Sequence, residues 1–202
     1  MKINLYNGDL PENLKLSNCI AFDSETMGLN PKRDKLCLVQ LSNGDEICHL
    51  VKIDLIKKKP INLIKLLKNN KVQKIFHYAR FDVAVFKYNF KINIKNIYCT
   101  KIASKLARTY TDKHGYKDLC SELLNRNISK TEQSSDWGGE LTKDQQKYAA
   151  TDVLYLHQIK NKLDAMLIRE NRDKLAKACF DFIQHRTDLD INGWSEQDIF
   201  KH

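Results

Sequence analysis

Apolar residues come first in short runs along this chain and later at helical spacing. Residues 19–23 (CIAFD), 36–41 (LCLVQL) and 46–51 (EICHLV) are brief and rich in β-formers. Turn residues such as Asn43-Gly44 separate them, so each is expected as a strand. Residues 62–67 put Leu63, Leu66 and Leu67 on one helical face. A fourth strand is expected at 74–77, a helix at 79–88 and a fifth strand at 97–99. From residue 101 the spacing is helical almost throughout, with helices at 101–109 and 116–124. A polar loop, 129–140, holds the chain's only Gly-Gly pair. Thr142 then caps a long helix through Tyr148 and Asp152 to near Arg169, and 172–182 forms a last one. Residues 183–202 read as a tail. Strands followed by helices, without repeats, predict an α/β domain in which helices cover a sheet.

The length of 202 residues predicts one domain, 1–202, with a sizeable core. No apolar run approaches the roughly 18 residues of a membrane span, and MKINLYNGDLPENLKL is broken too early for a signal peptide. No membrane partner and a cytoplasmic location are therefore expected. Cys19, Cys37, Cys48, Cys99, Cys120 and Cys179 stand singly, which argues against a zinc site and for reduced thiols. The net charge of +9 favours an anionic partner, with nucleic acid first among candidates. The lysines are dispersed, however, and Lys57-Lys58-Lys59 reads as a solvated turn.

The first apolar run ends abruptly in carboxylates, in the stretch FDSETMGLN. On a strand Asp23 and Glu25 share a face, their Cα atoms ~6.6 Å apart at ~3.3 Å per residue. A solvated strand end would look the same. Asp82 follows HYARF where the fourth strand turns into a helix, and Asp152 lies in the otherwise apolar YAATDVLYL. Tyr148 and Asp152, four apart, share a helix face. An Asp beside Val and Leu needs a basic partner, a cap or a metal. Two unit charges ~4 Å apart repel by about 4 kcal/mol at an effective dielectric of 20, so convergence of the four acids implies hard cations, Mg²⁺ or Mn²⁺.

FDSET, HYARFD and YAATD resemble, in order, the three motifs of the DEDD 3′–5′ exonucleases, in the variety with a tyrosine four residues before the last aspartate. KTEQSSDW, leading into LTKDQQKYAATDVLYL, is similar to ribonuclease D. That enzyme carries further helical domains, for which a chain ending at residue 202 leaves no room. TMGLNPKRDKLCLVQLS and CFDFIQHRTDLDINGWSEQDIF look instead like the compact nano-ribonuclease C family, which degrades very short oligoribonucleotides.

The resemblance implies a ribonuclease H-like exonuclease fold with a mixed central sheet. It implies that Asp23, Glu25, Asp82 and Asp152 hold two divalent cations, Mg²⁺ or Mn²⁺, and that Tyr148 orients the attacking water. It further implies a 3′–5′ exoribonuclease acting on short RNA oligonucleotides and dinucleotides, with longer RNA or DNA as the alternative substrate. A catalytically inactive nucleic-acid-binding scaffold would lack a carboxylate of the quartet, and none is missing. Candidate substrate contacts are Thr26, Gly28, Leu29 as a wedge against a base, His77, Phe81, Gln133 and Trp137. Packing roles for Leu29, Phe81 and Trp137 stand beside these readings. Arg33 and Lys35 are phosphate contacts or plain surface charge. The family forms closed homo-oligomers, so an octamer is expected, with residues 183–202 packed on their own domain or on a neighbour.

Overall fold

The computed structural model describes residues 1–128 and 135–202. Six strands form one sheet: β1 (Lys2–Asn7), β2 (Cys19–Thr26), β3 (Leu36–Ser42), β4 (Ile47–Lys52), β5 (Gln73–Phe76) and β6 (Ile97–Cys99), in the order β1-β4-β3-β2-β5-β6. β2, β3 and β4 are antiparallel neighbours, while β1 joins β4, and β5 and β6 extend from β2, in parallel. This is the mixed sheet the resemblance implies. Among the described residues the helices are α1 (Ile61–Lys68), α2 (Ala79–Phe90), α3 (Thr100–Ala107), α4 (Tyr116–Leu124), α5 (Lys143–Leu154), α6 (Leu156–Arg169) and α7 (Asp173–Asn192).

Every residue of β3 is buried, because the strand lies inside the sheet and α5 packs across β2, β3 and β4. A strand covered in this way reads as a continuous apolar run, which LCLVQLS does except at Gln40 and Ser42. β1 was not predicted. Its KINLYN carries few β-formers and sits half-exposed at the sheet edge, held by pairing from Lys2↔Ile47 to Asn7↔Lys52. All six cysteines are free, four of them fully buried. No helix is long and apolar enough to cross a membrane among the described residues.

The long helix expected from Thr142 to Arg169 is instead two. Thr142 caps α5 as predicted, exchanging hydrogen bonds with Gln145. The break falls at Tyr155 (φ −104°, ψ 0°), and its cause is a side chain inserted into the backbone ladder. The Tyr116 hydroxyl donates to Thr151 O at 2.6 Å and accepts from Tyr155 N at 3.2 Å, taking the place of the direct helical bond. The expected end of the last helix at residue 182 is also corrected. α7 continues to Asn192 and stops where Gly193 takes a left-handed conformation (φ 109°). Residues 183–192 are therefore helix, running beside α2, with Lys87 paired to Asp188 and Arg80 to Asp190. Trp194, Ile199 and Phe200 beyond it remain exposed.

Candidate active site

β2 delivers the first two acids. Phe22 and Ser24 face one way; Asp23 and Glu25 face the other. Across the strand pair, Gln40 of β3 sits opposite Asp23. Its amide nitrogen reaches Glu25 Oε1 at 3.2 Å and Asp23 Oδ2 at 3.4 Å. A register shift between Glu25 and Thr26 re-aims the chain as it leaves the sheet. α5 supplies Asp152, so that ligand oxygens of Asp23, Glu25 and Asp152 all lie within 4.8 Å of one another. Tyr148, one turn earlier, hydrogen-bonds Asp152.

Asp82 borders the same cavity but does not join that trio among the described residues. It is buried in the first turn of α2, and Oδ1 accepts a 2.6 Å hydrogen bond from the Ser24 hydroxyl. All four acids line one cavity, with Asp23, Glu25 and Asp152 as its tightest group and Asp82 beside them, where its charge raises Asp23.

Burial, and then the charges of Asp82, Asp152 and Glu25, raise Asp23 well above the usual carboxylate range. Glu25 is pushed up to about 9, chiefly by burial and then by Asp152 and Asp82. Burial lifts Asp82 to about 7 against the lowering effect of Ser24. Burial and then the charges of Asp152, Glu25 and Asp23 raise Tyr148, which keeps its phenolic proton. Beyond the hydrogen bonds of Gln40 and Ser24, it is opposite charge that stabilises crowded, dehydrated carboxylates in their charged form. An all-oxygen donor set of this kind fits a hard divalent cation, and Asp23, Glu25 and Asp152 are the residues able to hold one.

The cavity in front of these acids has a volume of about 580 Å³. Of the sequence-predicted contacts, Thr26, Gly28, Leu29, His77, Phe81 and Trp137 all line it. Leu29 is 86% exposed, unusual for a leucine and open for contact. Gly28 is needed for a close approach: an added Cβ would lie 2.3 Å from Asp34 Oδ2. His77 Nδ1 and Thr100 Oγ1 lie 2.9 Å apart, and the ring packs near Tyr116. Phe81 is half-buried against the core. Trp137 is 2% exposed and its ring lies 6.1 Å from that of Tyr148, so it also braces the tyrosine from the core side. Gln133 lies outside the described residues. Arg33 pairs with Asp34, and neither Arg33 nor Lys35 borders the cavity.

The reading of the sequence missed Gln40, Ser24 and Tyr116. Gln40 had a signal, being the one amide inside an otherwise apolar run, residues 36–41. Tyr78 was missed as well. It lines the cavity in a left-handed conformation (φ 67°, ψ 45°), costly for a bulky residue and found mainly where function requires it.

A family model described as 3′–5′ exonuclease matches residues 8–168. The chain belongs to the 3′–5′ exonuclease family. Among solved structures, this exonuclease is similar to Brucella melitensis NrnC with bound Mg²⁺, at 50% identity and a TM-score of 0.94 over 100% of both chains. It is equally similar to Brucella melitensis NrnC bound to pGG, at 51% identity and a TM-score of 0.95 over 100% of this chain and 99% of that one. Ribonuclease D of Gluconacetobacter diazotrophicus is 32% identical over 166 residues, 80% of this chain and 41% of that protein. The exonuclease thus spans about two fifths of the length of the curated relatives it matches. The ribonuclease H-like fold and the DEDD-type kinship expected from the sequence both hold.

The raised acids set a pH dependence. Glu25 and Asp82 bind protons more tightly folded than unfolded, so their stabilising contribution is complete below about pH 4 and is lost as pH rises through about 7 and about 9. Without metal, the thermal midpoint should fall between pH 5 and pH 9 more steeply than in Glu25→Gln. Mg²⁺ should raise it most at the alkaline end. Thermal unfolding in chelator and in Mg²⁺ checks both, and equal slopes in the two proteins would contradict the assignment.

Proposed function

We propose that this chain is a metal-dependent 3′–5′ exoribonuclease acting on short oligoribonucleotides, dinucleotides included, and releasing 5′-mononucleotides. The observation that carries the reading is the trio Asp23, Glu25 and Asp152 with their ligand oxygens within 4.8 Å, at the floor of a cavity entered past an exposed Leu29. Similarity to NrnC, solved with Mg²⁺ and with pGG, supports both the cation and the short ligand.

Asp23, Glu25 and Asp152 hold the cations, with Asp82 completing the negative field from its Ser24-anchored position. Two ions, Mg²⁺ or Mn²⁺, would supply charge neutralisation at the scissile phosphate and a water more acidic than bulk. Tyr148 keeps its proton and orients the attacking water through its hydroxyl, while Trp137 fixes the ring. A raised phenol is a poor base at neutral pH, so orientation is its role. Gln40 holds the Asp23 and Glu25 carboxylates in register. Leu29 stands at the cavity mouth as a wedge against a base, with Phe81 as a stacking surface. Thr26 and Gly28 offer hydroxyl and backbone contacts to the terminal nucleotide, and His77 faces a phosphate.

Hydrolysis time courses on labelled RNAs of two to ten nucleotides, with Mg²⁺ or Mn²⁺, test the reading. Asp23→Ala and Asp152→Asn should each abolish turnover with the fold intact. Tyr148→Phe should slow it about 10²-fold or more, within the range for losing a positioned proton-handling group, while leaving metal binding unchanged. Dinucleotides should disappear at least as fast as heptamers. Dinucleotides accumulating as an end product would instead favour a general exonuclease on longer RNA or DNA.

We also propose that the chain assembles as a homo-oligomer, an octamer by resemblance. Exposed Trp194, Ile199 and Phe200 form apolar surface that a partner copy would cover. Light scattering should give a mass several times 23.6 kDa; a single species at 23.6 kDa contradicts assembly.

A further inference from the structure

A second cavity, of about 430 Å³, adjoins the first and shares Leu29, Tyr78 and Phe81 with it. The exposed Leu29 therefore stands between two compartments, each within the size range of small-ligand sites. The acids floor the first. The far wall of the second is the last turn of α7 and the chain just past it, with Asp190, Ile191, Gly193, Ser195 and Glu196.

Two guanidinium groups hold that wall. Arg80, in the first turn of α2 between Ala79 and Phe81, makes a bidentate pair with Asp190 in which both bonds are 2.7 Å. It also donates to Ser195 O at 2.7 Å. Arg186 approaches Asp190 at 3.0 Å and donates to the carbonyls of Trp194, Ser195 and Gln197, at 3.1, 2.8 and 3.3 Å. These carbonyls belong to the segment just past the α7 C-cap, so the two guanidinium groups tie that segment back to the helix and to α2. A bidentate arginine fixes direction as well as distance, which a lysine at the same place would not.

Arg80 occupies one helical turn with the residues the two compartments share. Tyr78 is the left-handed N-cap of α2, its ring beneath the Lys101 ammonium at 4.2 Å, and Phe81 directly follows Arg80. Nε and Nη2 of Arg80 donate to the wall, which fixes the plane of the guanidinium against it.

We propose that Arg80 is a positioning residue for substrate binding. Through Asp190 and Ser195 O it locks the 190–196 segment to the start of α2, fixing Tyr78, Phe81 and the far wall around the nucleotide beyond the Leu29 divide. The assignment rests on the exoribonuclease reading above. It gives residues 190–196 a part in the substrate site, separate from any part in assembly.

The test is steady-state kinetics of Arg80→Gln, Arg80→Lys and Asp190→Asn on a dinucleotide and a heptamer in Mg²⁺, with hydrogen exchange of the same proteins. Arg80→Gln and Asp190→Asn should raise the dinucleotide KM about tenfold with kcat within about twofold, since misplaced binding groups are lost while the reacting centre is not. Arg80→Lys should fall between them and the parent chain. Backbone exchange should quicken at residues 78–82 and 190–196 and stay unchanged in β2. Unaltered KM, or a fall confined to kcat, would overturn the proposal, as would unchanged exchange at residues 78–82. A parent chain that degrades no RNA of any length would overturn the exoribonuclease reading itself, and this assignment with it.

Discussion

Mutual repulsion among buried carboxylates is the constraint on which the rest of this structure depends. Asp23, Glu25 and Asp152 bring oxygens within 4.8 Å in a site where burial alone already disfavours charge. Such a group stays in a folded protein only if the surrounding elements hold it and its charge is either neutralised by protons or completed by a cation. The sheet and α5 provide the rigidity. The cation provides the completion, and with it a reason for the family's chemistry to sit at this place in the fold.

Each support is local and physical. The β2–β3 register places Gln40 against both acids of β2, where its amide hydrogens offset part of the crowding. Ser24 donates a 2.6 Å hydrogen bond to Asp82, whose charge still bears on Asp23 and Glu25. The hydroxyl of Tyr116 splices the backbone between Thr151 and Tyr155, ending α5 just past Asp152. That break sets the direction in which α6 departs. Trp137 fills the space under Tyr148.

Much of this was legible in the residues. Five of the six strands and the order of the elements follow from apolar runs and turn residues, and the three acidic motifs mark the site. What was not legible has identifiable causes. β1 is an edge strand whose order comes from its partner rather than from its own sequence. The α5–α6 break leaves the 3.6-residue periodicity intact on both sides, because the interruption comes from a tyrosine 35 residues earlier than the carbonyl it takes. α7 outruns its apolar stripe because Arg80, Lys87 and Arg186 stabilise its polar last turns. The hydrogen bond between Ser24 and Asp82 joins two elements far apart in the chain, which no spacing rule encodes. Gln40 alone carried a readable signal that was passed over.

Function then follows from how the site is enclosed. In the proposed function the carboxylates would fix where a phosphodiester bond is cut, and Leu29 with the wall beyond it would bear on how much nucleic acid can lie across them. Isothermal titration of Mg²⁺ into the metal-free protein at pH 7, repeated in buffers of different ionisation enthalpy, tests the central point most directly. The crowded acids should bind the ion with release of protons, since cation and proton compete for the same oxygens, and Asp152→Asn should weaken binding and reduce the release. Binding without proton release, or equal binding in Asp152→Asn, would contradict a site built on repelling carboxylates.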